Sequence, residues 1–251
     1  HKGKVSFGNT SNPRIDEAQR TLARLHPHYQ PIVARHVRDD PARTLRLRAS
    51  AALLARSGRP AVLAIGHTSG GGTQRHIDEL ASWVADRTNT VALRGTGEHH
   101  VAVSLSSSND ADSVLFDLER DWDELIELLN RIGVRRIHVH HTMGLPARAW
   151  ALPEALGVPV DFTAHDYYSI NANPTLTDAE ARYCGDAPDR DALCVRRYPI
   201  PGGAAATVWR ANHQRLLQSC DRVFAPSRAA SEIIEGAFDD VRITVADHPD
   251  R

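Results

Sequence analysis

AVLAIGHTSGGGTQRHIDELASWVAD, residues 61–86, is the stretch that decides the fold. It begins with a short apolar run over residues 61–66, which is typical of a strand buried on both faces. Residues 73–86 then place apolar side chains on one stripe at helical spacing. Three consecutive glycines at 70–72 separate the two patterns. The stretch therefore predicts a strand, a tight turn and a helix, which is the repeating unit of an α/β fold.

The same alternation continues through the rest of the chain. Further strands are predicted over residues 90–95, 101–105, 113–118, 135–141, 158–166, 221–227 and 240–250. Further helices are predicted over residues 121–133, 145–157, 207–220 and 227–238, the second of them interrupted by Pro153. Strands that alternate with helices through short connections predict a parallel sheet covered by helices on both faces. In such sheets, ligands bind beyond the carboxyl ends of the strands.

Residues 1–59 differ from the rest of the chain. They are rich in Arg, Ala and Leu at helical spacing, and Pro31 and Pro41 are expected breaks, so two or three helices are predicted. The segment is either an extension packed on the main domain or the tail of a preceding domain, and the sequence does not separate the two. We expect a helical N-terminal extension over 1–59 and one main domain over 60–251.

Composition limits the class of protein. Of 251 residues, 41% are apolar and 24% are charged, as in ordinary globular domains. The 30 basic and 31 acidic residues give a net charge of −1, which argues against a general affinity for nucleic acid. No apolar run approaches the length of a membrane span. The start HKGKVSFGNT lacks the apolar region of a signal peptide, so we expect none. The first residue is His and Met143 is the only methionine, so we expect an excised piece or a processed chain and not a native start.

The three cysteines do not form a disulfide framework in a chain of this length. Cys184 and Cys194 lie in one loop-like segment, and Cys220 ends a predicted helix. Cys184 and Cys194 could pair or share a metal, but free thiols in a reducing cytoplasm are the simpler expectation.

The glycines Gly70, Gly71 and Gly72 have two interpretations. Backbone N–H groups and the dipole at a helix start attract anions, and glycine lets a ligand approach without a Cβ. However, the stretch GHTSGGG does not match G-x-G-x-x-G, and it lacks the lysine of G-x-x-x-x-G-K-[ST]. Taken alone, the pattern favours a flexible turn over a phosphate site.

Three histidines end the strand predicted over residues 135–141. His138 and His140 are two residues apart and so share one face of the sheet, while His141 faces the other way. They either pack beside the core or place His140 or His141 at the carboxyl edge of the sheet, lining a cleft. The His-x-His spacing also suits zinc, although no acidic or thiol ligand lies near them in the sequence.

A second polar cluster follows the strand predicted over residues 158–166. His165, Asp166, Tyr167 and Tyr168 are consecutive, and a histidine can donate to a sugar hydroxyl or phosphate, or accept a proton, near neutral pH. The structural alternative is that Asp166 caps a helix while the aromatic rings seal the core edge. After the next strand, Ser227 is expected to cap the helix that follows, with a ligand role secondary.

Five stretches in this order resemble the N-terminal domain of family-4 glycosyltransferases, which have the GT-B architecture. They span about residues 60–250 and read HTSGGGTQRHIDELA, HVHHTMGLP, VPVDFTAHDYYSINANPTL with YCGD, WRANHQRLLQSCDRVFAPS and ITVADHPD. One departure is that a Cys-Pro pair common in the family reads Asn173-Pro174 here.

The resemblance implies a Rossmann-like domain of a retaining, nucleotide-sugar-dependent glycosyltransferase that requires no metal or other cofactor. In that family, two such domains face each other across a cleft, and the N-terminal one mainly holds the acceptor. The loop at 70–72 would approach the donor diphosphate, and His165 would bind the transferred sugar and support the transition state without acting as a base. From their places after the strands, we also expect a role in the cleft or at the acceptor for His141, Asp166, Tyr167 and Ser227.

The family's C-terminal domain carries the nucleotide pocket and an acidic E-x7-E motif. Residues 240–251 end where that domain should begin, so we expect the chain alone to be inactive and to bind a nucleotide sugar weakly. The missing half would come from the same or a separate chain. The other expected partners are a nucleotide sugar and a carbohydrate or lipid-linked acceptor. We expect bacterial surface polysaccharide or glycoconjugate synthesis in the cytoplasm, with association at the inner membrane face.

Two other functions remain open at the level of the sequence. The first is a non-catalytic Rossmann-like module that binds a carbohydrate or a partner protein. The second is a zinc hydrolase that uses His138, His140 and His165, which metal analysis of the purified chain would decide. We expect no metal.

Overall fold

The computed structural model describes residues 11–105, 113–178, 180–184 and 198–247. The chain divides into two compact units, His1–Ala49 and Ser50–Arg251. The boundary at residues 59 and 60 stays a prediction from the sequence.

The described part of the N-terminal unit is helical, as expected. Helix α1 spans Ser11–Leu25, α2 spans Tyr29–Asp39, and α3, Arg43–Ala55, begins in this unit and crosses the division. Pro31 was expected to break a helix, but it lies in the first turn of α2, where a residue without an N–H group is tolerated. Pro41 lies in the turn between α2 and α3, as predicted.

The second unit is built on an eight-stranded sheet with the order β4-β3-β2-β1-β5-β6-β7-β8. The strands are β1 (Ala61–Gly66), β2 (Asn89–Gly95), β3 (His100–Ser104), β4 (Val114–Asp117), β5 (Val134–Val139), β6 (Val160–Thr163), β7 (Arg222–Ala225) and β8 (Ile243–Val245). They correspond to the strands predicted from the apolar runs, with ends that differ by a few residues. His248, Pro249 and Asp250, which end the last predicted strand, lie outside the described residues.

The sheet is mostly parallel, and β3 is the exception. It pairs antiparallel with β2 on one side and with β4 on the other. The expectation of a parallel sheet was therefore wrong for this strand. The reason is the short connection over residues 96–99, because a parallel crossover needs about a dozen residues or more.

Helices follow most of the strands. They are α4 (Gly71–Trp83), α5 (Trp122–Ile132), α6 (Leu152–Leu156), α7 (Ala206–Ser219) and α8 (Arg228–Ala237). The helix predicted over 145–157 is a 3₁₀ segment, Ala147–Ala151, followed directly by α6. Pro153 lies near the start of α6, so it begins that helix and does not interrupt it. No helix in the described part of the chain is long and apolar enough to cross a membrane.

The core lies along the central strands. Leu63, Val91, Leu93 and Ile137 are fully buried, as expected for strands covered on both faces. Because β1, β2, β5, β6 and β7 run parallel, their carboxyl ends meet at one edge of the sheet. That edge places the glycine-rich loop, the histidines and the polar cluster near one another.

Candidate functional site

The glycine-rich loop is also the start of α4. Gly70 is the N-cap residue and has no side chain to cap the first turn of the helix, and α4 begins at Gly71. Gly70 and Gly71 have φ angles of +69° and +75°, which side chains rarely adopt. A Cβ placed on Gly70, Gly71 or Gly72 would have no atom within 4 Å. The helix start therefore faces open space and can be approached closely by an anion.

His67 contacts the loop, and Arg94 contacts the first turn of α4. The Ser69 N–H donates to His67 Nδ1 at 3.1 Å, and the His67 ring packs edge-on against His141 at 4.7 Å between centroids. Partial burial and the nearby His141 lower the pKa of His67. Arg94 is buried, and its Nη2 donates to Gln74 Oε1 at 2.6 Å. Arg94 was not predicted from the sequence, although a charged residue near the end of the apolar strand TVALRG was a signal.

A ladder of polar pairs crosses from β5 to β6 on one face of the sheet. The pairs are Arg136 Nη1 with Asp161 Oδ1 at 2.7 Å, His138 Nε2 with Thr163 Oγ1 at 2.7 Å, and His140 Nδ1 with His165 Nε2 at 3.2 Å. Each residue is two positions from the next along its strand, as the alternation of side chains requires. His138 and His140 therefore share a face, as predicted, and their rings lie 4.1 Å apart.

Burial determines the protonation state of His138, the middle histidine of this ladder. It lowers the pKa of His138 to about 4, with smaller contributions from His76 and Arg136. His138 is therefore neutral near physiological pH. At the lower end of the ladder, burial raises the pKa of Asp161, and Arg136 opposes that shift.

His76 extends the ladder from the side of α4. Its ring centroid lies 5.5 Å from that of His140 and 4.9 Å from that of His165. His76, His140 and His165 each offer a ring nitrogen, and these nitrogens lie within 4.8 Å of one another. This set differs from the zinc ligands considered from sequence, which were His138, His140 and His165. His138 is hydrogen-bonded to Thr163, and His76 stands in the set instead. The signal for His76 was its position beside Ile77 on the buried side of α4.

His141 faces the opposite side of the sheet, as predicted, and pairs with Asp166. The Met143 N–H donates to His141 Nδ1 at 3.0 Å, so His141 Nε2 carries the hydrogen and donates to Asp166 Oδ2 at 3.2 Å. The other Asp166 oxygen accepts from the Tyr168 N–H at 2.9 Å. Asp166 therefore caps a turn, whereas the structural alternative placed it at a helix start.

Two further residues of the predicted site have structural contacts. The Tyr167 N–H donates to the Pro174 carbonyl at 3.0 Å, which closes the loop after β6. Ser227 is the N-cap of α8, and its Oγ accepts from the Ala230 N–H at 3.2 Å. The predicted cap is confirmed, and ligand roles for Tyr167 and Ser227 stay predictions.

A groove of about 1140 Å³ opens beside the His141 side of the edge. Aromatic rings form one part of its lining, with Tyr168 and Trp209 in edge-on contact at 4.9 Å and Trp150 near His213. The Trp209 Nε1–H donates to the Tyr168 carbonyl at 2.8 Å. Thr68 from the glycine-rich loop and Arg148 also line the groove, so it adjoins the loop. The groove was not predictable from the sequence, because its aromatic residues come from separate helices and loops.

The thiols are only partly described. Cys184 is buried, and Cys194 lies outside the described residues, so a link between them stays untested. Cys220 is partly buried, and burial raises the pKa of its thiol to about 12, with Asp161 and Asp221 contributing. A protonated thiol at this position is a poor nucleophile.

Comparison with known proteins supports one family. The model of the family described as Glycosyltransferase Family 4 matches residues 70–248, well over half of the chain. No curated protein matches the chain. The match begins at the first glycine of the loop and includes β5, β6 and β7 with the polar residues that follow them. The chain therefore belongs to glycosyltransferase family 4 and is a glycosyltransferase domain.

Proposed function

We propose that this domain is the acceptor side of a retaining, nucleotide-sugar-dependent glycosyltransferase. The observation that carries the proposal is the start of α4, where the glycines face open space. The same helix contacts His165 through His76, and Thr68 of the preceding loop lines the aromatic groove. A donor diphosphate fits such a helix start because the first backbone N–H groups and the helix dipole favour negative charge. Gly70, Gly71 and Gly72 allow the phosphates to approach the backbone closely.

His165 is proposed to bind the transferred sugar. Its Nε2 lies 3.2 Å from His140 Nδ1, and an imidazole can donate a hydrogen bond to a hydroxyl group of the sugar or accept one from it. A retaining front-face reaction breaks the bond between the anomeric carbon and the phosphate oxygen, and forms the bond to the acceptor oxygen on the same side. The departing phosphate takes the acceptor proton. His165 therefore has no need to act as a base, and it stabilises the transition state by hydrogen bonding.

The groove is proposed to hold the acceptor. Tyr168, Trp150 and Trp209 offer the aromatic and apolar surface on which a sugar face or a lipid-linked acceptor can pack. His141 is held by Asp166 between the groove and the glycine-rich loop, so it can position acceptor or donor groups. The donor nucleotide would bind to a second domain, in the same or another chain. We infer a role in bacterial surface polysaccharide or glycoconjugate synthesis at the cytoplasmic face of the membrane, without a required metal.

A substitution at Gly72 tests the diphosphate contact. Gly72 lies in the first turn of α4 with an ordinary φ angle and open space around its Cα, so Gly72→Leu should fold normally. In an active preparation that includes the donor-side domain, we expect kcat/KM for the donor to fall at least about tenfold, or about 1.4 kcal/mol.

Gly236→Leu is the matched control, because Gly236 is also a helical glycine with an ordinary φ angle and open space. It should leave transfer unchanged. Normal donor kinetics in Gly72→Leu would reject the diphosphate contact and favour a module that only binds carbohydrate or protein.

A further inference from the structure

Three histidines from different elements surround one point at the carboxyl edge of the sheet. His76 comes from α4, His140 follows β5, and His165 follows β6. His140 is 2% exposed and His76 is 9% exposed, while His165 is partly buried. This cluster of His76, His140 and His165, the histidine triad, is held by a buried framework and not by mobile surface side chains.

The separations within the histidine triad match those around a tetrahedral metal ion. An ion about 2.0–2.1 Å from each ring nitrogen places those nitrogens about 3.3 Å apart and the ring centroids about 5.2 Å apart. His140 Nδ1 and His165 Nε2 are separated by 3.2 Å. The three centroid separations are 4.9, 5.5 and 5.5 Å. The three ring nitrogens lie within 4.8 Å of one another, so the rings must turn toward a common point to reach one ion.

The ligand chemistry selects the kind of metal. Three imidazoles suit Zn²⁺, Cu²⁺, Ni²⁺ and Co²⁺, whereas Mg²⁺ and Ca²⁺ require oxygen ligands. Within the described part of the chain, no carboxylate or thiol joins the histidine triad. The nearby Asp166 is engaged by His141 on the other side of the sheet.

We propose that the histidine triad binds one divalent transition-metal ion, with Zn²⁺ as the biological ligand, and that this ion inhibits transfer. Three protein ligands leave a fourth position for water. The bound ion would hold His165 through a ring nitrogen and fix its orientation, so His165 could no longer adjust to the transferred sugar. The inhibition rests on the proposed function of His165, whereas the binding of the metal does not.

Metal binding by the 251-residue chain tests the site directly. After removal of metal with a chelator, titration with Zn²⁺ should show one ion bound per chain with a Kd below about 1 μM. Co²⁺ in its place should produce the visible absorption of a tetrahedral complex. Zn²⁺ at about one hundred times the Kd should raise the melting temperature of the wild-type chain by at least about 4 °C.

Two variants and one control assign the ligands. His76→Leu and His140→Gln should each weaken Zn²⁺ binding at least about 100-fold, since each removes one of three ligands. His138→Gln is the control, because His138 stacks on His140 and is not a member of the histidine triad. It should retain tight binding. Absence of a tight equivalent in the wild-type chain, or tight binding by both ligand variants, would overturn the site without requiring that any variant be active.

The inhibitory role has a separate measurement. In the active preparation, saturating Zn²⁺ should lower turnover at least tenfold, a chelator should restore it, and His76→Leu should relieve the inhibition. Tight Zn²⁺ binding with unchanged turnover would overturn the inhibition and leave the metal site standing. Normal donor kinetics in Gly72→Leu would instead reject the proposed function and leave metal binding unaffected.

Discussion

At the scale of single residues, a hydrogen bond to the backbone determines which ring nitrogen of a buried histidine carries the hydrogen. His213 Nδ1 lies 3.0 Å from the Trp209 carbonyl, which can only accept, so Nδ1 carries the hydrogen. His213 Nε2 then accepts from the Thr142 hydroxyl at 2.9 Å. Burial lowers the pKa of His213 from 6.5 to about 4, so the ring stays neutral in the folded protein.

The depressed pKa of His213 predicts a loss of stability in acid. Between the unfolded pKa of 6.5 and the folded pKa of about 4, only the unfolded chain binds the proton. The free energy of unfolding should therefore fall as pH falls through that window, by about 3 kcal/mol from this residue. His213→Gln removes the titrating group.

Urea denaturation at several pH values from neutral to about 4 measures this effect. The stability difference between the wild-type chain and His213→Gln should shift by about 3 kcal/mol in favour of the variant as pH falls. A difference that stays constant across the window would show that His213 is not buried in its neutral form.

Residue-scale prediction from sequence succeeded where a motif was local and failed where it was not. The opposite facing of His140 and His141 followed from the alternation of side chains, and the Ser227 cap followed from its place before a helix. His76 and Arg94 were missed because their partners lie on other elements. An apolar pattern locates an element, but it does not tell which polar side chains meet across elements.

At the scale of elements, the end of β2 and the loop after β5 approach each other closely. A Cβ on Gly95 would lie 1.8 Å from the Gly144 carbonyl oxygen, so only glycine fits at this position. Gly144 itself has a φ angle of +71°. The contact holds the loop over residues 142–146, which carries Thr142, Leu145 and Pro146 into the wall of the groove.

Gly95→Ala should therefore destabilise the domain. The added methyl group must displace backbone atoms, and we expect the free energy of unfolding to fall by about 2–3 kcal/mol. Gly97→Ala is the matched control, because its Cβ would make an ordinary 3.8 Å contact with His100. Denaturant melts of the two variants measure the difference. Equal stability of Gly95→Ala and Gly97→Ala would contradict the close approach.

The elements themselves were largely predictable from sequence, and their directions were less so. The apolar runs identified every strand of the sheet because buried strands leave a continuous pattern. The direction of β3 was not predicted, because an apolar pattern looks the same in a parallel strand and in an antiparallel strand. The length of the connection over 96–99 contained the missing information.

At the scale of the whole molecule, the parallel sheet collects separate sequence motifs at one edge. The glycine-rich loop, His141 with Asp166, and the His140–His165 pair are far apart in sequence and adjacent in the fold. Residues 70–248, the range matched by the family, contain the three glycines of the loop and both pairs. We propose that this edge holds a transferred sugar between a donor diphosphate and an acceptor groove.

The most direct test of this account is the turnover of His165→Ala in an active preparation that contains the donor-side domain. Because His165 is proposed to support the transition state by hydrogen bonding, kcat should fall at least about 100-fold. His100→Ala, a change at a partly exposed histidine paired with Asp117, should transfer at the wild-type rate. An unchanged kcat for a folded His165→Ala would contradict the assignment of this edge as the transfer site.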